Sequence, residues 1–151
     1  MDYDWSEIGK FLSYLAPVII FLLFNVFFRK QREQQGRLAV VKSLLSEIDY
    51  NHRLVESFSL QPQMKKFKAA TWKRNKEKMD YIDPNILSIL ANAYEITDGF
   101  NREIDKTKKY KSTSYLVGIN AERLTEPLAK SRQRLEEWIV LNKGKKKITS
   151  G

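Results

Sequence analysis

The sequence predicts an all-α protein, with one N-terminal transmembrane helix followed by a cytoplasmic, antiparallel helical bundle of about four helices. Three observations carry this. Residues 11–28 read FLSYLAPVIIFLLFNVFF without one charge. Beyond them, apolar residues recur at helical 3–4 spacing. Val and Thr show no strand-like alternation in the same region.

The apolar run from Phe11 to Phe28 is eighteen residues long. As a helix it measures about 27 Å, close to the ~30 Å hydrocarbon core of a bilayer, and Ile8 and Gly9 extend it. A core helix apolar on every face needs more protein around it than the roughly 120 residues that follow. A cleavable signal peptide begins with basic residues and ends in small ones. Here Asp2, Asp4 and Glu7 precede the run, and Phe27, Phe28 and Arg29 end it. Pro17 is a potential kink. Asn25 is a candidate contact to a neighbouring membrane helix, because its amide can hydrogen-bond across such an interface.

Orientation follows from the flanking cations. Only Lys10 lies on the N-terminal side, whereas Arg29, Lys30, Arg32 and Arg37 follow the run. The expected arrangement is a single pass through the inner (plasma) membrane, N-terminus outside and C-terminus cytoplasmic. Tyr3 and Trp5 would then lie at the outer interface. The segments are a short tail, 1–10; the span, 11–28; the bundle, 29–142; and a basic flexible tail, 143–151.

Of the 27 Lys and Arg only Lys10 precedes Arg29, and of the 18 Asp and Glu only Asp2, Asp4 and Glu7 do, so the remainder carries a formal excess of +11. Such an excess attracts anions: phospholipid headgroups, nucleic acid or an acidic protein. The chain has no cysteine, which excludes disulfides, thiolate metal sites and cysteine nucleophiles.

A first helix is expected from the membrane to about Phe58. Leu38, Val41, Leu45, Ile48, His52 and Val55 form its apolar stripe, with Leu44, Asn51 and Phe58 adjoining. Glu33, Arg37, Lys42 and Glu47 fall off that stripe, and Pro62 closes the segment. A second helix is expected over Met64 to Lys78, anchored by Phe67, Ala70, Thr71 and Trp72. Asp83 as cap and Pro84 in the first turn start a third helix reaching about Asp105. Lys106 to Ser114, KTKKYKSTS, reads as a loop. A last helical region runs from Tyr115 to Asn142, buried through Leu116, Val117, Leu124, Leu128, Leu135, Trp138 and Ile139. Pro127 is expected to divide it, with Thr125 as a local cap, and Gly144 to stop it.

The segment LLSEIDYNHRLVESF, Leu44 to Phe58, resembles a pattern, LLxEIxxN, of uncharacterised bacterial membrane-anchored helical proteins. Phe67 with Trp72, and Leu90 with Tyr94, match the aromatic segment and LxxAY helix that accompany it. The resemblance covers about half of the part after the span. It implies a bacterial or phage origin and a helical fold, and it carries no activity.

No catalytic constellation stands out. His52 is the sole histidine. It lies one turn from Asp49, but a di-iron bundle needs a carboxylate–x–x–His pair on each of two helices. Asp80 with Asp83, Glu122 with Glu126, and Glu136 with Glu137 read as solvated helix faces. No phosphate loop, zinc-protease helix or nucleophile elbow is present. The expectation is a protein without enzymatic activity, cofactor or metal.

Two basic clusters are the candidate binding residues: Lys65, Lys66, Lys68, Lys73, Arg74, Lys76 and Lys78, and then Lys143, Lys145, Lys146 and Lys147. They point to a membrane-tethered interaction or scaffold protein docking anionic lipid and a protein partner, or a second copy of itself. Two alternatives share the same features. One is a small membrane-perturbing effector of phage or antiphage origin. The other is membrane-localised nucleic-acid binding, with Phe67 or Trp72 stacking on bases. An inner-membrane spanin has similar length but needs its bulk on the other side.

Overall fold

A computed structural model of the chain describes the backbone of residues 5–60 and 65–148, and the side-chain surroundings of 14–58 and 65–143. Pro62, Met64 and Tyr3, and the side chains of Trp5, Lys145, Lys146 and Lys147, lie outside the described residues. The described residues are helical without a strand: α1 (Trp5–Leu60), α2 (Ala70–Asn75), α3 (Pro84–Tyr110), α4 (Ser114–Val117) and α5 (Thr125–Ile148). Short 3-10 turns at Lys76–Lys78 and Ala121–Leu124 follow α2 and precede α5. The chain divides into two compact units, Met1–Arg37 and Leu38–Gly151.

In the first unit α1 runs on through Pro17. Consecutive residues Val18 to Phe24 are each at least half exposed, so the apolar surface faces outward on every side of the helix. This one helix is long and apolar enough to cross a membrane.

The second unit is built on 3–4 spacing. Val41, Leu44, Ile48, Asn51, Val55 and Phe58 are the buried line of α1, and Leu90, Ala93, Tyr94, Thr97, Phe100, Ile104 and Thr107 that of α3. Leu128, Ser131, Leu135 and Ile139 continue the core along α5. Thr97 and Thr107 satisfy their own buried hydroxyls by donating to the carbonyls of Ala93 and Glu103. Asp83 caps α3 as expected, accepting from the backbone N–H of Asn85 at 2.8 Å. Asp83→Ala should cost about 1 kcal/mol, read as a lower unfolding midpoint of the full chain in detergent.

Several boundaries differ from the sequence reading. Residues 65–69 are not helical, and α2 spans only six residues. Burial alternates there: Phe67 and Ala69 inward, Lys66, Lys68 and Ala70 outward, a strand-like period. Lys106 to Tyr110 belong to α3 rather than a loop, because Thr107 falls on the buried line and Lys near a helix C-terminus is favourable. The helix ends instead at Lys111, which takes the left-handed conformation. Pro127 lies in the first turn of α5, where its missing N–H is not needed, so the division comes before it. Gly144 lies within α5, not at its stop. Val117 is exposed, while its neighbour Leu116 is buried. His52 is half-exposed and faces Glu56 rather than the core.

Candidate functional site

The first basic cluster lies on residues 65–78, and the way that segment is held decides which cations are available. Asn51, fully buried on α1, donates from Nδ2 to the Lys68 carbonyl and accepts the Lys68 N–H at Oδ1, both at 2.7 Å. Asn101, on α3, does the same to Phe67, at 2.9 Å and 2.8 Å. An asparagine offers one donor beside one acceptor, matching the C=O and N–H of a single residue. In an extended chain, consecutive residues present these groups on opposite sides. Two asparagines on flanking helices therefore replace the neighbouring strands that the segment lacks.

One turn before Asn51, the carboxylate of Glu47 accepts from the backbone N–H groups of Thr71 (2.9 Å) and Trp72 (3.4 Å). It caps the start of α2, whose own preceding residue, Ala69, offers no side-chain cap. Glu47 is thus buried, not on the solvated face where its position off the apolar stripe had placed it. The 3–4 count places apolar residues well, but it cannot foresee a backbone terminus that demands an acceptor. Asn101 was not singled out by the sequence reading. Its one signal is helical: it lies seven residues after Tyr94 on the same face.

Trp72 stacks on Tyr94 with ring centroids 5.1 Å apart and planes within 2° of parallel. Phe67 packs between Phe58 and Phe100 at about 6 Å. Burial first, and then the charge of Glu47, pushes the Tyr94 hydroxyl pKa well above its ordinary value near 10. Its oxygen is buried off hydrogen-bond geometry. Above pH 10 the unfolded chain loses this proton while the native chain retains it. Stability therefore falls as pH rises, by ~1.4 kcal/mol per pH unit for this group. Tyr94→Phe should be neutral or stabilising at pH 7 and should show a shallower loss between pH 10 and 12 in denaturant titrations.

The geometry sorts the cations. Lys66 pairs with Asp105 at 2.6 Å, Lys73 pairs with Asp98 at 2.8 Å, and the Lys68 ammonium lies 4.0 Å over the Tyr50 ring. Lys65, Arg74, Lys76 and Lys78 are exposed and form no ion pair among the described residues, and the same holds for Lys143 on α5. Of the acidic residues noted in the sequence, three have helix-surface partners, Glu126 with Lys130, Glu136 with Arg132, and Glu137 with Arg134, and Asp83 is the cap of α3. Asp49 lies 3.5 Å from Arg132, and the His52 ring lies 3.4 Å from Glu56. No group of three or more His, Cys, Asp or Glu is placed to hold a metal among the described residues. Asn25 is exposed on the apolar segment, by a shallow groove that includes Arg29 and Arg32.

Comparison of the chain with family models, curated proteins and solved structures finds no match.

Proposed function

We propose that this chain is a single-span, membrane-tethered interaction module without enzymatic activity, whose basic helical unit docks a protein partner and anionic lipid. The carrying observation is the apolar surface of α1. Twelve large apolar residues between Tyr14 and Phe28 are exposed, on all faces. At roughly 25 cal/mol for each Å² of apolar surface, water is an unfavourable surrounding for such a helix and hydrocarbon a favourable one. The cations that follow, Arg29, Lys30, Arg32 and Arg37, favour an N-terminus outside and a cytoplasmic C-terminus, in a bacterial inner membrane.

In this reading the helical unit is an up-down-up-down arrangement of four elements, with the clamped segment 65–78 as the second. The contacts of Phe67 with both Phe58 and Phe100, and of Trp72 with Tyr94 near Glu47, support α1 and α3 running in one direction. The contact of Tyr81 with Trp138, 5.9 Å between centroids, and that of Asp49 with Arg132 support α5 returning in the other.

Base stacking on the basic segment is disfavoured. Phe67 is 3% exposed, and partly buried Trp72 already has one face stacked on Tyr94, which leaves little aromatic surface for a base. The docking reading is tested by crosslinking the full chain in native membranes and identifying what is attached. A discrete protein partner, or the chain itself, bound through the helical unit is the expected result. Recovery of lipid alone removes the protein-docking part. A reporter fused after Gly151 should be active only in the cytoplasm, and activity on the opposite side reverses the topology.

A further inference from the structure

The exposed face of α5 changes character after Trp138. Up to Glu137 its exposed residues are small or polar, and its charges are matched within the helix, Lys130 to Glu126, Arg132 to Glu136 and Arg134 to Glu137. Then Val140 and Leu141 stand 68% and 69% exposed, side by side, and Lys143 follows without an ion-pair partner among the described residues. The sequence continues Gly-Lys-Lys-Lys. Two adjacent exposed aliphatic side chains beside unmatched cations are the composition of an interfacial lipid contact. Aliphatic groups enter the headgroup–acyl boundary, and ammonium groups meet phosphate.

The rest of the unit brings more cations to this end. Tyr81, in contact with Trp138, is three residues from Lys78, so Arg74, Lys76 and Lys78, which form no ion pair among the described residues, belong to the same end as Val140 and Leu141. Glu77, Asp80 and Asp83 lie among them and offset part of the charge. Among the described side chains Arg74, Lys76, Lys78 and Lys143 outnumber these three, and in the sequence Lys145, Lys146 and Lys147 follow. It is also the end at which the unit's own chain begins. Asp49 faces Arg132. Eleven residues back along α1 is Leu38, the first residue of the unit, and eleven residues on along α5 is Lys143.

We infer that Val140 and Leu141, with Arg74, Lys76, Lys78 and Lys143 around them, form a second membrane contact that seats this end of the helical unit on anionic phospholipid headgroups. This rests on the tethered reading above and sharpens it. The lipid-binding cations are those at the end where the unit begins, whereas Lys66, Lys68 and Lys73 are engaged within the protein.

The absence of cysteine permits a clean test on the full chain. Asn142→Cys and, about 20 Å earlier on α5, Ala129→Cys are each labelled with an environment-sensitive fluorophore. The chain is reconstituted in nanodiscs of phosphatidylcholine, alone or mixed with phosphatidylglycerol. With phosphatidylglycerol the label at 142 should be shielded from a water-soluble quencher, and the label at 129 should not. The ratio of shielded to open label should fall on the order of fivefold for each of Lys76→Gln and Lys78→Gln. High salt should reduce the shielding as well. A label at 142 that stays open to water while the chain remains in the disc overturns this inference and leaves the tether intact. Shielding indifferent to phosphatidylglycerol, or produced by an added duplex oligonucleotide instead, also overturns it. Failure of the chain to enter the disc overturns both.

Discussion

Asn51→Ala should destabilise the helical unit by about 3 kcal/mol, a large share of the ~5–15 kcal/mol that holds a typical domain. The loss is specific in kind. Removing the amide strands the N–H and the C=O of Lys68 together, where buried Asn51 was their partner and a cavity replaces it. Asn51→Asp should recover little, because one carboxylate oxygen then meets the Lys68 carbonyl rather than donating to it. Asn101→Ala is expected to cost less, since that side chain is only partly buried and water can reach the gap. Hydrogen exchange of the full chain in mild detergent is the decisive measurement. The Lys68 amide should exchange early in Asn51→Ala, and unfolding should move to lower denaturant. A loss under about 1 kcal/mol means that the asparagine is not the grip on this segment.

Trp72→Ala is expected to cost about 3 kcal/mol, combining lost burial with the lost stack on Tyr94. The same substitution should leave a spectroscopic trace. With its indole cover gone, Tyr94 is less desolvated, and its pKa should drop back toward the ordinary tyrosine range in an ultraviolet titration of the native chain. Trp72→Phe keeps an aromatic face over Tyr94 and should retain most of the stability. If Trp72→Ala moves stability without moving the Tyr94 titration, the stack is not what buries that hydroxyl.

The clamp explains why the sequence was legible in some places and not in others. Helical spacing put Leu38, Val41, Leu45, Ile48, His52 and Val55 on one stripe of α1, with Leu44, Asn51 and Phe58 adjoining. Burial follows the 3.6-residue period but is centred between the two lines, on Val41, Leu44, Ile48, Asn51, Val55 and Phe58, with Leu38 and Leu45 partly buried. The start of α3 was legible because Asp83 and Pro84 act locally, through a cap and a fixed φ. Residues 65–69 were not. They carry the composition of a helix, and their extended path depends on Asn51 and Asn101, 17 and 34 residues away from the groups they bind. Glu47 was misplaced for the same reason: its partners are the amides of Thr71 and Trp72. Glu47 and Asn51, one turn apart on α1, both hold backbone groups of the 68–72 segment. The basic patch was readable as a composition. Its division into engaged and unmatched cations was not, because that depends on Asp98, Asp105 and Tyr50 approaching from other elements.

Alkaline extraction of membranes from cells producing the full chain tests most directly whether α1 fixes this protein in a bilayer. High pH strips proteins held by charge, so a chain bound only through its lysines leaves with the supernatant. A chain held through residues 11–28 should remain in the membrane pellet and become extractable only with detergent. Release of the intact chain into the alkaline supernatant would contradict the account.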